Sequence, residues 1–459
     1  MSVLATDALG AHTAGVERLL SSYRAIPGSA TIRLAKPTSN LFRARAKRDA
    51  PGLDTSGLTG VIGVDAAAQT ADVSGMCTYE DLVAATLPYG LSPLVVPQLK
   101  TITLGGAVTG LGIESSSFRN GLPHESVLQM DILTGSGDIV TASPELHPDL
   151  YRAFPNSYGT LGYSVRLKIE LEPVKPFVAL NHLRFHTLED LTAAMERIIE
   201  TGGHDGVRVD YLDGVVFSAD ESYLCLGMRT ASQGPLSDYT GKDIYYRSIQ
   251  HPDSEKHDRL TIHDYLWRWD TDWFWCSRAF GAQNPKVRRF WPRRYRRSSF
   301  YWKLLGYDRR FGIADRIEKH NGRPPRERVV QDVEVPLERT PEFLHWFLDN
   351  VPIEPVWLCP LRLRDSHGWP LYPIQPGHSY VNLGFWSSVP MGPVPGYTNR
   401  MIEEKVGELD GHKSLYSDAY YTSEEFDALY GGEAYRTVKK TYDPDSRLLD
   451  LYAKAVQRR

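Results

Sequence analysis

At 459 residues the chain exceeds what one hydrophobic core usually supports, so two or more domains are expected. Hydrophobic content of 42%, charged content of 24% and a net charge of -4 describe an ordinary globular protein and give no charge argument for nucleic acid. Cys77, Cys225, Cys276 and Cys359 are scattered without a C-x-x-C pair, which argues against a zinc ribbon or a disulfide scaffold and for a reduced, cytoplasmic setting with no metal.

Taken in chain order, Val16, Leu19, Leu20 and Tyr23 recur at helical spacing over residues 14–25, and Pro27-Gly28 stops that helix. Strand-like runs follow at 30–34, 60–65 and 70–74. Thr78 and Asp81 stand in capping-box positions before a helix that Gly90 ends, and 91–97 is read as a strand. Residues 127–133 and 138–141 flank the turn Gly135-Ser-Gly137 as a hairpin, and 163–171 alternates as a strand. Pro173 and Pro176 close a first α+β unit at about residue 175. Beyond them come a strand at 177–185, an amphipathic helix at 188–201 stopped by Gly202-Gly203, and strands at 207–212 and 222–227. A strand at 328–336, a helix at 340–348, a strand at 354–360 and a final helix complete the reading. No stretch of 18 apolar residues predicts a membrane crossing.

Two segments stand out chemically. The first is Thr103-Leu-Gly-Gly-Ala-Val-Thr-Gly-Leu-Gly-Ile-Glu-Ser-Ser-Ser117, with Gly105, Gly106, Gly110 and Gly112 inside eight positions. Its G-G-x-x-x-G-x-G order, a hundred residues into the chain, is not the G-x-G-x-x-G that follows the first strand of a Rossmann unit. Glycines of this kind let backbone N–H groups approach a pyrophosphate or a flavin edge, and Thr103, Thr109, Ser115, Ser116 and Ser117 add hydroxyls; a purely structural set of tight turns is the competing reading. The second is Lys286–Arg297, with seven cations and three aromatics in twelve residues. That mixture suits an anionic lipid surface, and equally a cap-domain helix with a buried aromatic face; nucleic acid ranks behind both for want of a recognition motif.

The succession Leu94-Val-Val-Pro-Gln98, Thr103-Leu-Gly-Gly106, Gly110–Ser117 and Gly159-Thr-Leu-Gly162 before a strand resembles the FAD domain of the vanillyl-alcohol-oxidase (PCMH-type) superfamily. Val329-Val-Gln-Asp332, Pro355-Val-Trp-Leu-Cys-Pro360, Leu415-Tyr-Ser-Asp418 with Glu424-Glu-Phe426, and Tyr435-Arg-Thr-Val-Lys-Lys440 extend the likeness over nearly the whole chain to the Δ24-sterol reductase (Diminuto-like) branch. Within it the chain looks most like bacterial methylene-fatty-acyl reductases of the tuberculostearic acid pathway, which lack the N-terminal membrane helix of animal sterol reductases.

The resemblance implies an α+β, two-domain flavoprotein: an FAD-binding domain at 1–175, to which 412–459 return, and an α+β substrate (cap) domain at 176–411. It implies FAD held by Thr38, Ser39, Asn40, Gln98, Thr103, Gly105, Gly106, Ala107, Thr109, Gly110, Gly112, Ser115 and Ser116. Gly159, Thr160, Leu161, Gly162 and Val165 would form a second contact, and Lys440 would favour the anionic reduced flavin. Ala35–Asn40 replaces the usual R-G-G-G-x-S loop and lacks a tethering histidine, so the FAD is expected to be non-covalent, with NADPH as reductant. The implied reaction is reduction of an unactivated C=C bond in a lipid chain, a methylene-branched acyl chain becoming methyl-branched. Such an alkene accepts hydride only as a proton is added at its other end. Glu114, Asp332, Glu334 and Tyr416 are the candidate acids, Glu114 first because it lies in the flavin loop. Alternatives are a Δ24-sterol reductase, an alcohol or sugar oxidase, and a non-catalytic flavoprotein partner of a lipid methyltransferase. The expected partners are a fatty acyl or phospholipid substrate, a methyltransferase and, through residues 286–310, the inner face of a membrane.

Overall fold

The computed structural model describes residues 3–36, 42–43, 52–110, 112–312, 316, 320, 322 and 324–458. Thr38, Ser39 and Asn40 lie outside the described residues. Two short segments, β1 (Leu34–Ala35) and β2 (Leu53–Asp54), pair in parallel, so the strand expected at 30–34 is confined to its last residue and the one after it. The helix expected at 14–25 already begins at Val3.

Six strands then build an antiparallel sheet: β3 (Val61–Asp65), β4 (Thr70–Ser74), β5 (Leu91–Pro93), β6 (Val127–Leu133), β7 (Ile139–Ala142) and β8 (Tyr163–Pro173). Their order is β3-β4-β8-β6-β7, with β5 also paired to β8. β8 is central because Val165, Leu167, Ile169 and Leu171 alternate buried against the more exposed Arg166, Lys168 and Glu170. Thr78 caps the helix Tyr79–Thr86 by accepting from the Asp81 amide, at 3.2 Å.

An eight-stranded antiparallel sheet follows, from β9 (Phe177–Phe185), β12 (Tyr211–Ser218), β13 (Glu221–Thr230), β14 (Glu255–Thr261), β15 (Arg326–Pro336), β16 (Val356–Arg362), β17 (Ser379–Pro390) and β18 (His412–Lys413), in the order β14-β9-β13-β12-β16-β17-β15-β18. The run expected as one strand at 207–212 is divided. Gly203–His204 (β10) and Val207–Arg208 (β11) fold onto each other around Asp205-Gly206, and the main strand starts only at Tyr211. Neither β17 nor the helix Tyr397–Glu408 was anticipated from the sequence.

One face of this sheet is aliphatic. Leu212, Val216, Leu224, Leu226, Val329, Val333, Leu358 and Leu383 pack against Leu191 and Met195 of helix Leu188–Thr201, Phe343 and Phe347 of helix Thr340–Asn350, and Ile402 and Val406 of helix Tyr397–Glu408. The opposite face carries Tyr211, Asp213, Cys225, Trp357, Cys359, Asn382 and Glu334, and turns toward the first sheet and the 103–117 turn. Mixed helices and sheets in this arrangement make the α+β two-domain flavoprotein architecture.

Candidate active site

The 103–117 stretch, read from sequence as a loop, contains the helix Leu104–Thr109, capped by Thr103 through a 3.2 Å bond from the Gly106 amide. Its glycines are mostly there for the protein's own packing. A Cβ on Gly105 would lie 2.2 Å from Ser164 Oγ and 2.5 Å from the Gly75 carbonyl oxygen; one on Gly112 would lie under 3 Å from the rings of both Pro97 and Pro123. Gly110 closes on the Gly106 carbonyl in the same way. Gly106 differs: a Cβ there meets only the Thr103 hydroxyl. The amides of Gly105, Gly106 and Ala107 are bonded to the Gly75 carbonyl, the Thr103 hydroxyl and the Thr103 carbonyl, so this turn does not offer the three free N–H groups that its glycines suggested. What it offers is a half-buried, Cβ-free position at Gly106, where the one close neighbour is the Thr103 hydroxyl at 2.8 Å. Gly105→Ala is accordingly expected to cost about 1–3 kcal/mol in urea denaturation through overpacking, whereas Gly106→Ala, whose Cβ presses only on the Thr103 hydroxyl, is expected to cost less and to loosen flavin retention.

The serines that follow are also engaged. Ser115 Oγ donates to Glu114 Oε1 at 2.8 Å and lies 3.0 Å from the Tyr265 hydroxyl; Ser116 Oγ donates to the Leu94 carbonyl; Ser117 Oγ accepts from the Glu114 amide. The Leu212 amide donates to the Ser115 carbonyl at 2.7 Å, which pins the turn to β12. Thr109 is joined to the second expected contact, since its carbonyl accepts from the Tyr158 amide at 2.6 Å. There Gly162 adopts φ +141, and a Cβ would strike Ile132 and the Leu133 carbonyl. Thr160 Oγ1 folds back on the Ser157 carbonyl, Leu161 is buried in the main core, and Val165 packs into a separate cluster with Leu19, Ile26 and Leu53.

Lys440 does not reach this region. Helix Gly432–Tyr442 turns Tyr435, Val438 and Tyr442 inward, which leaves Lys440 exposed. Its neighbour Lys439 donates to the Thr160 carbonyl at 2.8 Å, and Lys454 donates to the Tyr158 carbonyl at 2.6 Å.

On the inner face of the eight-stranded sheet, polar side chains stand in register. His182 of β9 pairs with Cys225 of β13, and Cys225 with Asp213 of β12. One step beyond the Gly214–Leu358 pair comes Cys359 of β16. Cys359 pairs with Asn382 of β17, Asn382 with Glu334 of β15, and Glu334 with His412 of β18. Seven strands thus contribute one polar or thiol residue each to a single buried row, a place where unpartnered polar atoms are costly.

Arg268 anchors one half of it. Its guanidinium is stacked 3.9 Å above Tyr265, donates to Asp213 at 2.9 Å and lies 3.5 Å from Glu114. Asp213 also accepts from the indoles of Trp269 and Trp357, both at 3.2 Å. Burial pushes the Glu114 carboxyl up to about 7, with Arg268 pulling the other way. Asp332, Glu334 and Tyr416 gather in the other half. Burial raises Asp332 to about 7, opposed only by hydrogen bonds from Asn382 and Tyr416 and by no cation. The Tyr416 hydroxyl accepts from the Trp386 indole at 2.9 Å and donates to Asp332. Glu334 accepts from Ser414 at 2.6 Å and is driven well above the usual carboxylate range by burial; burial likewise pushes the adjacent His412 down to about 3, leaving it neutral. Cys359 lies between the halves, its thiol raised by burial and then by Glu114 and Asp213. Arg268, Asp213, Asn382 and His412 were not singled out from sequence; the one signal was an aspartate inside the otherwise apolar run Tyr211-Leu-Asp-Gly-Val-Val216.

Several buried atoms have no partner among the described residues: Gln98 Nε2, Ser157 Oγ, Asp213 Oδ1, Asn382 Oδ1 and Glu334 Oε2. Each costs about 1–3 kcal/mol unless something completes it. Gln98 follows Pro97, which packs at Gly112, and Ser157 precedes Tyr158, whose amide bonds the Thr109 carbonyl of the Gly106 helix; a dinucleotide with phosphate and ring-carbonyl oxygens supplies acceptors for both donors. The residues fit such a group.

Residues 31–143 match the FAD binding domain family. The chain is an FAD-linked oxidoreductase. This flavoprotein is 26% identical over 417 residues to the Delta(24)-sterol reductase of Rattus norvegicus, covering 86% of this chain and 76% of that one. The Arabidopsis thaliana Delta(24)-sterol reductase is 24% identical over 450 residues, covering 88% and 76%. Cytokinin dehydrogenase 6 of Oryza sativa is 33% identical over 171 residues, covering 37% of this chain and 31% of its own. The matched domain of the flavoprotein contains Gln98, the Gly106 turn and Glu114; the polar row lies beyond it.

Proposed function

We propose that this flavoprotein reduces an unactivated carbon–carbon double bond in a lipid chain, with NADPH as reductant and a methylene-branched acyl chain as substrate. The observation that carries the reading is the Asp332–Tyr416 pair, an acid whose burial is opposed, among the described residues, by neutral hydrogen bonds alone and that is set into an aromatic wall. Such an alkene has no polar handle, so its site must hold it by apolar contact. Trp386 with Phe274 at 4.4 Å and Phe42 with Trp302 at 4.7 Å, both extending from Tyr416, provide that surface and exclude water. FAD, once bound and reduced, would supply hydride to one carbon of the double bond. Tyr416 supplies the proton to the other carbon as that hydride is accepted, not after it, and is re-protonated from Asp332, whose raised affinity keeps its proton available near neutrality. In this reading residues 1–175 with 412–459 bind FAD and 176–411 bind the lipid.

A second substrate, a Δ24 sterol, is favoured by the similarity to Delta(24)-sterol reductases over most of the chain. Among the described residues no helix is long and apolar enough to cross a membrane, so the lipid must be met at a surface or delivered. The test is mass spectrometry after anaerobic incubation of the purified holoprotein with NADPH and either a methylene-branched phospholipid or a Δ24 sterol. Bleaching of the flavin band with a product two hydrogens heavier is the expected result for the former. Conversion of the sterol alone reassigns the substrate, and a colourless protein that releases no flavin on denaturation sinks both.

A further inference from the structure

We propose that helices Pro285–Phe290 and Ser298–Phe311, with the turn between them, dock onto an anionic lipid bilayer. The proposal deepens the lipid reading above and rests on it only for what travels inward, not for the docking itself.

The seven cations of Lys286–Arg297 divide into two groups. Three serve the fold: Arg288 grips Asp272 with two bonds of 2.7 and 3.1 Å, Arg296 donates to the carbonyls of Gly241, Arg288 and Trp291, and Arg297 bonds Glu80 at 2.6 Å. The other four, Lys286, Arg289, Arg293 and Arg294, are exposed, and among the described residues none is paired with a carboxylate. Lys303 on the second helix is exposed as well. Between these charges project apolar tips: Phe290 is 82% exposed, Tyr307 59% and Val287 41%. A phenyl ring held almost wholly in water amid unpaired cations contributes nothing to the core, whereas at a bilayer it enters the acyl boundary while the cations meet phosphate. The half-buried Trp291 and Tyr295 sit at the depth where indole and phenol rings favour the headgroup zone.

The inner side of the same element explains why a bilayer, not a nucleic acid, is the occupant. Ser298 bonds Asp270, Tyr301 is fully buried, and Trp302 packs on Phe42 at 4.7 Å and Trp273 at 5.3 Å. Phe42 in turn meets Tyr416 at 5.9 Å. The two helices and their turn therefore carry cations and bare apolar tips outside, while Tyr301 and Trp302 of the second lead inward to an aromatic wall that ends at the candidate acid.

The experiment is sedimentation of the holoprotein with vesicles of phosphatidylcholine, with or without phosphatidylglycerol. Wild type is expected to pellet with the anionic vesicles and to be released by salt. Each surface cation contributes about fivefold to partitioning, so the quadruple change of Lys286, Arg289, Arg293 and Arg294 to glutamine should weaken binding on the order of several-hundredfold. Phe290→Asp with Val287→Asp should weaken it independently. Flavin content and turnover of detergent-dispersed substrate should stay at wild-type values in both variants, because neither touches the interior. Docking that is absent, indifferent to phosphatidylglycerol, or unchanged in both variants overturns the proposal. So does tighter binding to an oligonucleotide than to vesicles without sensitivity to the Phe290 change, which assigns the surface to nucleic acid. Vesicle binding with no lipid reduction would uphold the docking surface and reject the substrate reading.

Discussion

Arg268→Leu is expected to lower the stability of the protein by about 3–5 kcal/mol, read as a shifted urea midpoint. The residue is fully buried and lies between Asp213 at 2.9 Å and Glu114 at 3.5 Å. Removing it leaves two buried carboxyl groups facing each other without their cation. Asp213 keeps only its two indole bonds, and its Oδ1 has no partner already. Glu114 loses the charge that opposes burial, so its carboxyl should hold a proton to still higher pH. Lysine rescues little, because the planar guanidinium is stacked on Tyr265 at 3.9 Å while reaching both acids, and a point charge cannot do both. Combining Arg268→Leu with Asp213→Asn should cost less than the two changes added together, since the neutral amide no longer needs a counter-charge. Equal midpoints for wild type and Arg268→Leu would show that the pair supports nothing. The effect should also reach the cofactor turn, because the Ser115 carbonyl is bonded to the Leu212 amide one residue from Asp213.

How much of this was legible in the sequence depends on how local each signal is. Strands 70–74, 127–133 and 177–185 and the helix 188–201 coincide with their patterns because an amphipathic period and a cap such as Thr78 or Gly202 are written within a few residues. β17 escaped because its inner face carries Asn382, Gly384 and Trp386, which break the apolar alternation, and its register is set by strands far away in sequence. The polar row is tertiary by construction: His182 and His412 are brought into one line only by strand order. The glycines carry two readings in the sequence, cofactor approach and tight structural turns, and only their neighbours divide them. Gly105 is demanded by Gly75 and Ser164, contacts that no local pattern announces, while a Cβ on Gly106 beside it would meet only the Thr103 hydroxyl. Lys440 is turned outward while Lys439, one residue earlier in the helical phase, bonds the Thr160 carbonyl, a difference of direction that sequence adjacency hides, and the basic segment hid a division between fold-serving and outward cations that only partners can reveal.

The second large effect concerns the proton. Asp332→Asn is expected to slow turnover about 10²–10⁴-fold, the span typical of a lost general acid, with substrate affinity little changed. Asparagine keeps the shape and can still bond Tyr416, so the loss isolates the proton itself. Burial raises the Asp332 carboxyl from 3.8 to about 7 and the Glu114 carboxyl from 4.5 to about 7. In the unfolded chain both release their protons near pH 4; in the folded protein they hold them to about pH 7. Stability from these groups is therefore full at low pH and lost as pH rises through about 4 to 7, and turnover that requires the protonated acid falls as pH passes about 7. Profiles of kcat against pH separate the candidates. If Asp332 holds the proton, Asp332→Asn flattens the fall above neutrality and Glu114→Gln preserves it; the reverse pattern moves the role to Glu114. Asp332 is favoured because Arg268 lies beside Glu114 and stabilises its ionised form, whereas only neutral hydrogen bonds oppose burial at Asp332. Tyr416→Phe should reproduce the loss of rate expected for Asp332→Asn, since the hydroxyl joins that carboxyl to the aromatic wall where the alkene would lie.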